Sequence, residues 1–159
     1  MPDSLADGRT RVSWVPSITN INAPTTTELN AGTLLHSLLT ADGLMGMQPD
    51  TADVDTSSLD STFNTTVAGR ASFSGTGLRL KKQTGTDSVY NLLVRDLAGF
   101  LVIRRDSAAS TAWASGDKVE VYPAVLGEVR NLDPEPNSVH KYEVPIKVSS
   151  APNLRSTVA

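Results

Sequence analysis

Between Lys118 and Arg130 the chain sets Val119, Val121, Val125 and Val129 on one side and Lys118, Glu120, Glu128 and Arg130 on the other. A period of two over this length is the mark of an extended strand with one dry and one wet face. The pattern recurs. Tyr142, Val144, Ile146 and Val148 oppose Lys141, Glu143 and Lys147 within Val139–Ser149, and Leu78 and Leu80 alternate with Arg79 and Lys81 within Arg70–Lys82. Such strands need partners, so the fold is mainly β. Pro123 and Pro145 interrupt two of them and predict an edge or a bulge at each, because proline has no N–H for the ladder. The 17 Ser and 17 Thr agree with a sheet rich in turns.

The remaining segments fill in around these strands. Arg11–Val15 reads as a short strand stopped by Pro16. Thr25 is placed to cap one helical turn, with Glu28 three residues on and Gly32 to end it. Thr33–Thr40 is an apolar run of strand length, with helix as the alternative. Val89, Leu92, Leu93 and Leu97 follow helical spacing behind Thr86 or Asp87, and Gly99 stands where a terminating glycine belongs, so one helix is expected over about 87–98. Phe100–Ile103 reads as a buried strand. The 159 residues suit a single domain, 1–159, with flexible arms at 1–10 and 150–159, since neither end offers core residues.

Residues 44–69 differ from the rest. Pro49, Asp50, Asp53, Asp55 and Asp60 break up sparse apolar residues. A polar connection of this length in a small domain is functional, or disordered until bound, unless it is an untidy surface loop. A short strand near Ala52–Thr56 is expected within it. Met45, Met47, Leu59 and Phe63 are its candidate contacts to another subunit.

The chemistry of catalysis is hard to find here. Cysteine is absent, and His36 and His140 are the two histidines. His36 sits in an apolar run and reads as a core residue. His140 falls on the apolar face of the last strand. Neither has a nucleophile's setting. Asp53 and Asp55 share a face if extended, but no calcium-loop spacing follows. The Ser74–Gly77 and Thr84–Thr86 segments lack the Gly-Lys-Ser/Thr of a phosphate loop. No catalytic residue, cofactor or metal is assigned. A net charge of −3 argues against gripping nucleic acid. No run of about 20 apolar residues is present to span a membrane, and no leader is visible, so a soluble chain made in a cytoplasm is expected.

One stretch carries a resemblance. Ser17–Thr40 reads SITNINAPTTTELNAGTLLHSLLT, followed by ADG, an acidic Thr-rich segment, DTSSLDSTFNTTVAGR and a Gly-Arg strand entry. This resembles the major tail tube proteins of long-tailed, siphovirus-type bacteriophages, in particular those of actinobacteria, over about residues 11–150. The resemblance implies a virion protein made in a bacterial host, with a β-sandwich or half-barrel flanked by one helix. It implies homohexameric rings stacked into a tube that conducts DNA, a long loop folded over a neighbour, and tape measure, tail terminator and tip proteins as partners. Acidic candidates for the lumen are Asp50, Asp53, Asp55, Asp60, Glu120 and Glu128. A tail terminator or connector, or a capsid decoration or receptor-binding domain, is the competing reading.

Overall fold

A computed structural model describes all of residues 1–159. In chain order its elements are β1 (Arg11–Val15), α1 (Thr26–Asn30), β2 (Thr33–Leu34), β3 (Leu39–Met45), β4 (Asp50–Asp55), β5 (Thr66–Ser72), β6 (Gly77–Lys81), α2 (Ser88–Leu92), β7 (Ala98–Arg104), β8 (Lys118–Leu126), β9 (Arg130–Asn131), β10 (Lys141–Val148) and β11 (Asn153–Thr157). Nine strands form one antiparallel sheet in the order β2-β1-β7-β8-β10-β6-β3, with β11 added to β8 and β9 to β10. The sheet curls into a half-barrel. β4 and β5 pair only with each other.

The curl wraps a main core of Val12, Trp14, Leu78, Leu80, Leu101, Ile103, Tyr122, Leu126, Tyr142, Val144 and Ile146, closed by Val89 and Leu93 of the α2 region and by Met47. A smaller core on the opposite face joins Val15, Ile18, Leu29, Val102, Trp113, Val119, Val121 and Val158. The central strands β1, β7 and β8 are therefore covered on both faces. This explains why β1 is buried throughout and why β8 lacks the wet face that its charges suggested.

Thr25 caps α1 as expected, its Oγ1 accepting from the Glu28 N–H at 3.2 Å. The Glu28 carboxylate reaches the Thr19 N–H rather than back to Thr25. Asp87 caps α2, accepting from the Tyr90 N–H at 3.1 Å. The helix expected over 87–98 stops at Leu92, because the sheet takes the rest. The Asp96 N–H donates to Leu126 O at 2.9 Å, and Leu97 O accepts from the Leu126 N–H at 3.0 Å. Asp96 turns through a φ of 65° to make that junction. Gly99 belongs to β7, where an added Cβ would meet the Trp14 ring at 2.7 Å.

Several other expectations change. Thr33–Thr40 is not one strand: it bends at His36–Leu38 between β2 and β3, with Leu35 buried. The C-terminal arm is part of the sheet, with β11 against β8 and Val158 in the smaller core. His140 is exposed just before β10, and His36 is half-buried.

Pro123 and Pro145 lie inside the sheet, not at its edge. The Pro123 carbonyl accepts from the Ser149 N–H, so the missing donor points to the side where the neighbour of β8 changes from β11 to β10. Pro145 sits at the matching seam of β10, with its carbonyl taken by the Gly127 N–H. At both seams no ladder bond is lost.

Candidate assembly surfaces

Residues 50–72 form a hairpin that stands off the half-barrel. Thr and Val supply its strand character, and its register pairs Val54 with Val67 and Asp55 with Thr66. A bulge at Gly69–Arg70 shifts the register further down, and Gly69 allows the close approach to Ala52 O. The turn is built from short side chains. The Asp55 carboxylate accepts from the Ser57 N–H at 2.8 Å, the Ser58 hydroxyl donates to Asp60 at 2.6 Å, and the Thr56 and Thr65 hydroxyls meet at 2.9 Å. Hydrogen bonds from Ser57 and Ser58 hold the Asp55 and Asp60 carboxyls below the usual carboxylate range.

This ribbon carries four exposed large apolar side chains, including the two most exposed outside the chain ends, Leu59 and Phe63. Leu59 is 106% exposed, Phe63 74%, Val67 54% and Val54 46%. Alternation puts Val54 and Val67 on one face and Asp53 and Asp55 on the other. Residues 50–72 hold four carboxylates and Arg70, a net −3, while the rest of the chain balances at thirteen acidic and thirteen basic side chains. The whole net charge thus sits on the hairpin.

Two of the four expected contact residues, Leu59 and Phe63, lie exposed in the tip loop between β4 and β5. Met47 is buried in the main core, because Gly46 turns the chain back towards the half-barrel with a φ of 63°. Met45 is half-buried beside Gly77. Of the six acidic candidates, Asp50, Asp53, Asp55 and Asp60 lie on the hairpin. Glu120 is paired to Arg105 at 2.6 Å and accepts from the Tyr122 hydroxyl at 3.2 Å, while Glu128 is exposed between β8 and β9. The six do not share a surface. Burial foremost, with Glu120 beside it, pushes the Tyr122 hydroxyl far above its ordinary pKa.

Two polar clusters emerge only from the tertiary structure. Arg104, 1% exposed, donates to Asp117 at 2.8 Å and to the carbonyls of Ala108, Thr111 and Ala112. It shares the Trp113 ring with Arg11, their guanidinium carbons 5.2 and 5.0 Å from the centroid. This cluster ties the loop after β7 to the sheet. The second cluster covers the outer face of β6, β9 and β10. There Glu143 receives Arg79 at 2.7 and 3.1 Å and also pairs with Arg130, while Arg79 reaches Asp42 at 2.9 Å. The Glu143 bond chiefly raises the Arg79 pKa. The wet faces of both strands were visible in the alternation. Their pairing was not, because Arg79 and Glu143 are distant in sequence.

A family model described as "Phage tail tube protein" matches residues 1–159. No curated protein matches the chain. Among solved structures, the chain is similar to one in the cryo-EM structure of the anti-feeding prophage (AFP) baseplate, 6-fold symmetrised, at a TM-score of 0.60 and 11% identity, covering 94% of this chain and 95% of that one. That likeness is one of fold.

Proposed function

The chain belongs to the phage tail tube protein family and is a structural component of the phage tail; from this premise we propose that it assembles with copies of itself into hexameric rings that stack into a tube for DNA ejection. The carrying observation is the family match along the whole chain. The fold likeness to a chain of a six-fold symmetrised prophage baseplate supports the ring order. The hairpin 50–72 supports self-association. A two-stranded ribbon is marginal by itself in water, and this one leaves Val54, Val67, Leu59 and Phe63 uncovered. Each gains about 1.5–3 kcal/mol when fully buried. In this reading the ribbon closes over a neighbouring subunit or ring, and the exposed residues 1–9 take up a neighbour as well. The tube ends on a tail terminator and a tip, and encloses a tape measure protein during assembly.

Negative-stain microscopy of the purified protein tests the reading. Rings and tubes of six-fold symmetry are expected. A protein that remains monomeric or trimeric at high concentration would favour a capsid decoration or receptor-binding role. Single rings that never stack would favour a terminator or connector.

A further inference from the structure

The outer face of β6, β9 and β10 is unlike every other surface of the half-barrel. Leu78 and Leu80 of β6, and Tyr142 and Val144 of β10, point into the main core. Their alternating neighbours Arg79, Lys81, Lys141 and Glu143 therefore point the other way. Arg130 of β9 joins them opposite Glu143, and Asp42 of β3 joins them through Arg79. The 132–139 turn flanks this face, with Glu135 beside Lys141, but no apolar cluster packs on it, whereas the matching face of β1, β7 and β8 carries the smaller core. Its side chains are charged from strand to strand, and Val139 borders it only at the turn before β10. Apart from Val139, the exposed large apolar residues lie elsewhere, among them Val54, Leu59, Phe63 and Val67 on the hairpin and Leu92 and Val94 near α2. A sheet face of this kind is stable against water and poor at packing on protein.

We propose that this face lines the channel of the tube, with the sugar-phosphate backbone of passing duplex DNA as its occupant, and that Glu143 and Asp42 keep its arginines from gripping that backbone. The inference rests on the tail tube reading. Free guanidinium groups would clamp phosphate through two parallel hydrogen bonds. Here the Arg79 fork is filled by Glu143 on one side and Asp42 on the other, while Arg130, 66% exposed, gives one nitrogen to the second Glu143 oxygen. Glu143 is itself nearly buried, with its side chain 9% exposed, so it is a fixed counter-charge. Lys81 and Lys141 remain as compact, hydrated ammonium groups, with Lys141 4.0 Å from Glu135. They attract the backbone without the bidentate geometry. The channel wall therefore owes its slipperiness chiefly to Arg79, whose fork is already filled. The expected ring of acidic residues is not needed.

The natural absence of cysteine makes the first test clean. A Lys81→Cys variant is assembled into tubes and treated with a small maleimide or a large branched polyethylene-glycol maleimide. Labelling of the tube by the small reagent alone, with both reagents labelling the free subunit, is the expected result. Labelling of the tube by the large reagent would put the face outside, and protection from both would put it in a subunit interface; either overturns the proposal. Failure of the unmodified protein to form any tube would overturn the tail tube reading, and this inference with it. The second test measures duplex DNA retained by washed tubes. Glu143→Gln is expected to raise retention several-fold at low salt, with the gain lost as salt rises. Asp42→Asn, at an exposed position that leaves the fold undisturbed, is expected to give a smaller rise. Unchanged retention in Asp42→Asn tubes and in any Glu143→Gln tubes would overturn the role of the carboxylates.

Discussion

Truncating Phe63 separates assembly from folding more cleanly than any other substitution. In the isolated subunit the ring is 74% exposed, and the hydrogen bonds at this position use its backbone: the Phe63 carbonyl accepts from the Ser61 hydroxyl, and the N–H donates to it. Phe63→Ala keeps both and removes no packing from the subunit, so its Tm should stay within the range of an ordinary surface change, about 0.5 kcal/mol. In the proposed tube the ring would be buried on a neighbour. Full burial of a phenylalanine is worth about 1.5–3 kcal/mol. Allowing for the quarter already covered and for the methyl group that alanine retains, the loss is about 1–2 kcal/mol per subunit. At 1.4 kcal/mol per factor of ten, the critical concentration for assembly should rise about 5- to 30-fold. Leu59→Ala, with the side chain fully exposed before assembly, should act in the same direction and by a similar amount. Sedimentation of tubes across a concentration series gives the critical concentration, and thermal melting of the subunit gives the control. A critical concentration unchanged in both variants would refute the idea that the ribbon tip is an assembly contact. A drop in subunit Tm of several degrees would show that the tip is packed within its own subunit.

Met47 should behave in the opposite way: Met47→Ala is expected to destabilise the subunit by about 2–5 kcal/mol in urea unfolding, as for other buried large-to-small changes, because its side chain is in the main core. Asp117→Asn should cost about 3–5 kcal/mol in the same assay, since it leaves the buried Arg104 without its carboxylate. Burial foremost, and then Arg11, lowers the His36 pKa from its ordinary 6.5. The unfolded chain therefore takes up a proton first, so stability should be flat above about pH 6.5 and fall as the pH drops from there towards the lowered folded value. His36→Gln should remove that slope, as read from melting temperatures across the pH range.

The strands with strict alternation were legible because each residue's face is a local property. β10 stands where its alternation puts it, β1 and β7 stand where their short apolar runs put them, and β8 is a strand as expected but without its expected wet face. The Thr25 cap was legible for the same reason. What failed was decided by distant residues. Val89 and Leu93 share one buried side of the α2 region as helical spacing requires, but Leu97, one turn on, is claimed by Leu126 across the sheet. β11 shows little apolar alternation. It is held by pairing with β8, by the Ser156 hydroxyl donating to the Ile21 carbonyl, and by Val158. Nothing in Asn153–Thr157 announces those partners. The prolines misled for a related reason: whether a missing N–H matters depends on which strand lies opposite, and at Pro123 and Pro145 the opposite strand changes.

Residues 44–69 are polar and poor in core residues, and that composition is what allows the hairpin to stand apart. A ribbon that buried its own valines against the half-barrel would have none to offer a neighbour. One that exposed only valines would aggregate through its open edges. The ribbon avoids both outcomes by dividing its faces. Val54 and Val67 give one face something to bury, and Asp53 and Asp55 keep the other in water. The net −3 confined to 50–72 sets like-charged ribbons against one another within about a Debye length, roughly 8 Å at physiological salt. Ribbon-on-ribbon pairing is thereby penalised, whereas docking onto the charge-balanced half-barrel is not. In the proposed assembly this distribution of charge would favour the body of a neighbour over its hairpin, the choice that would let subunits add in one direction rather than tangle.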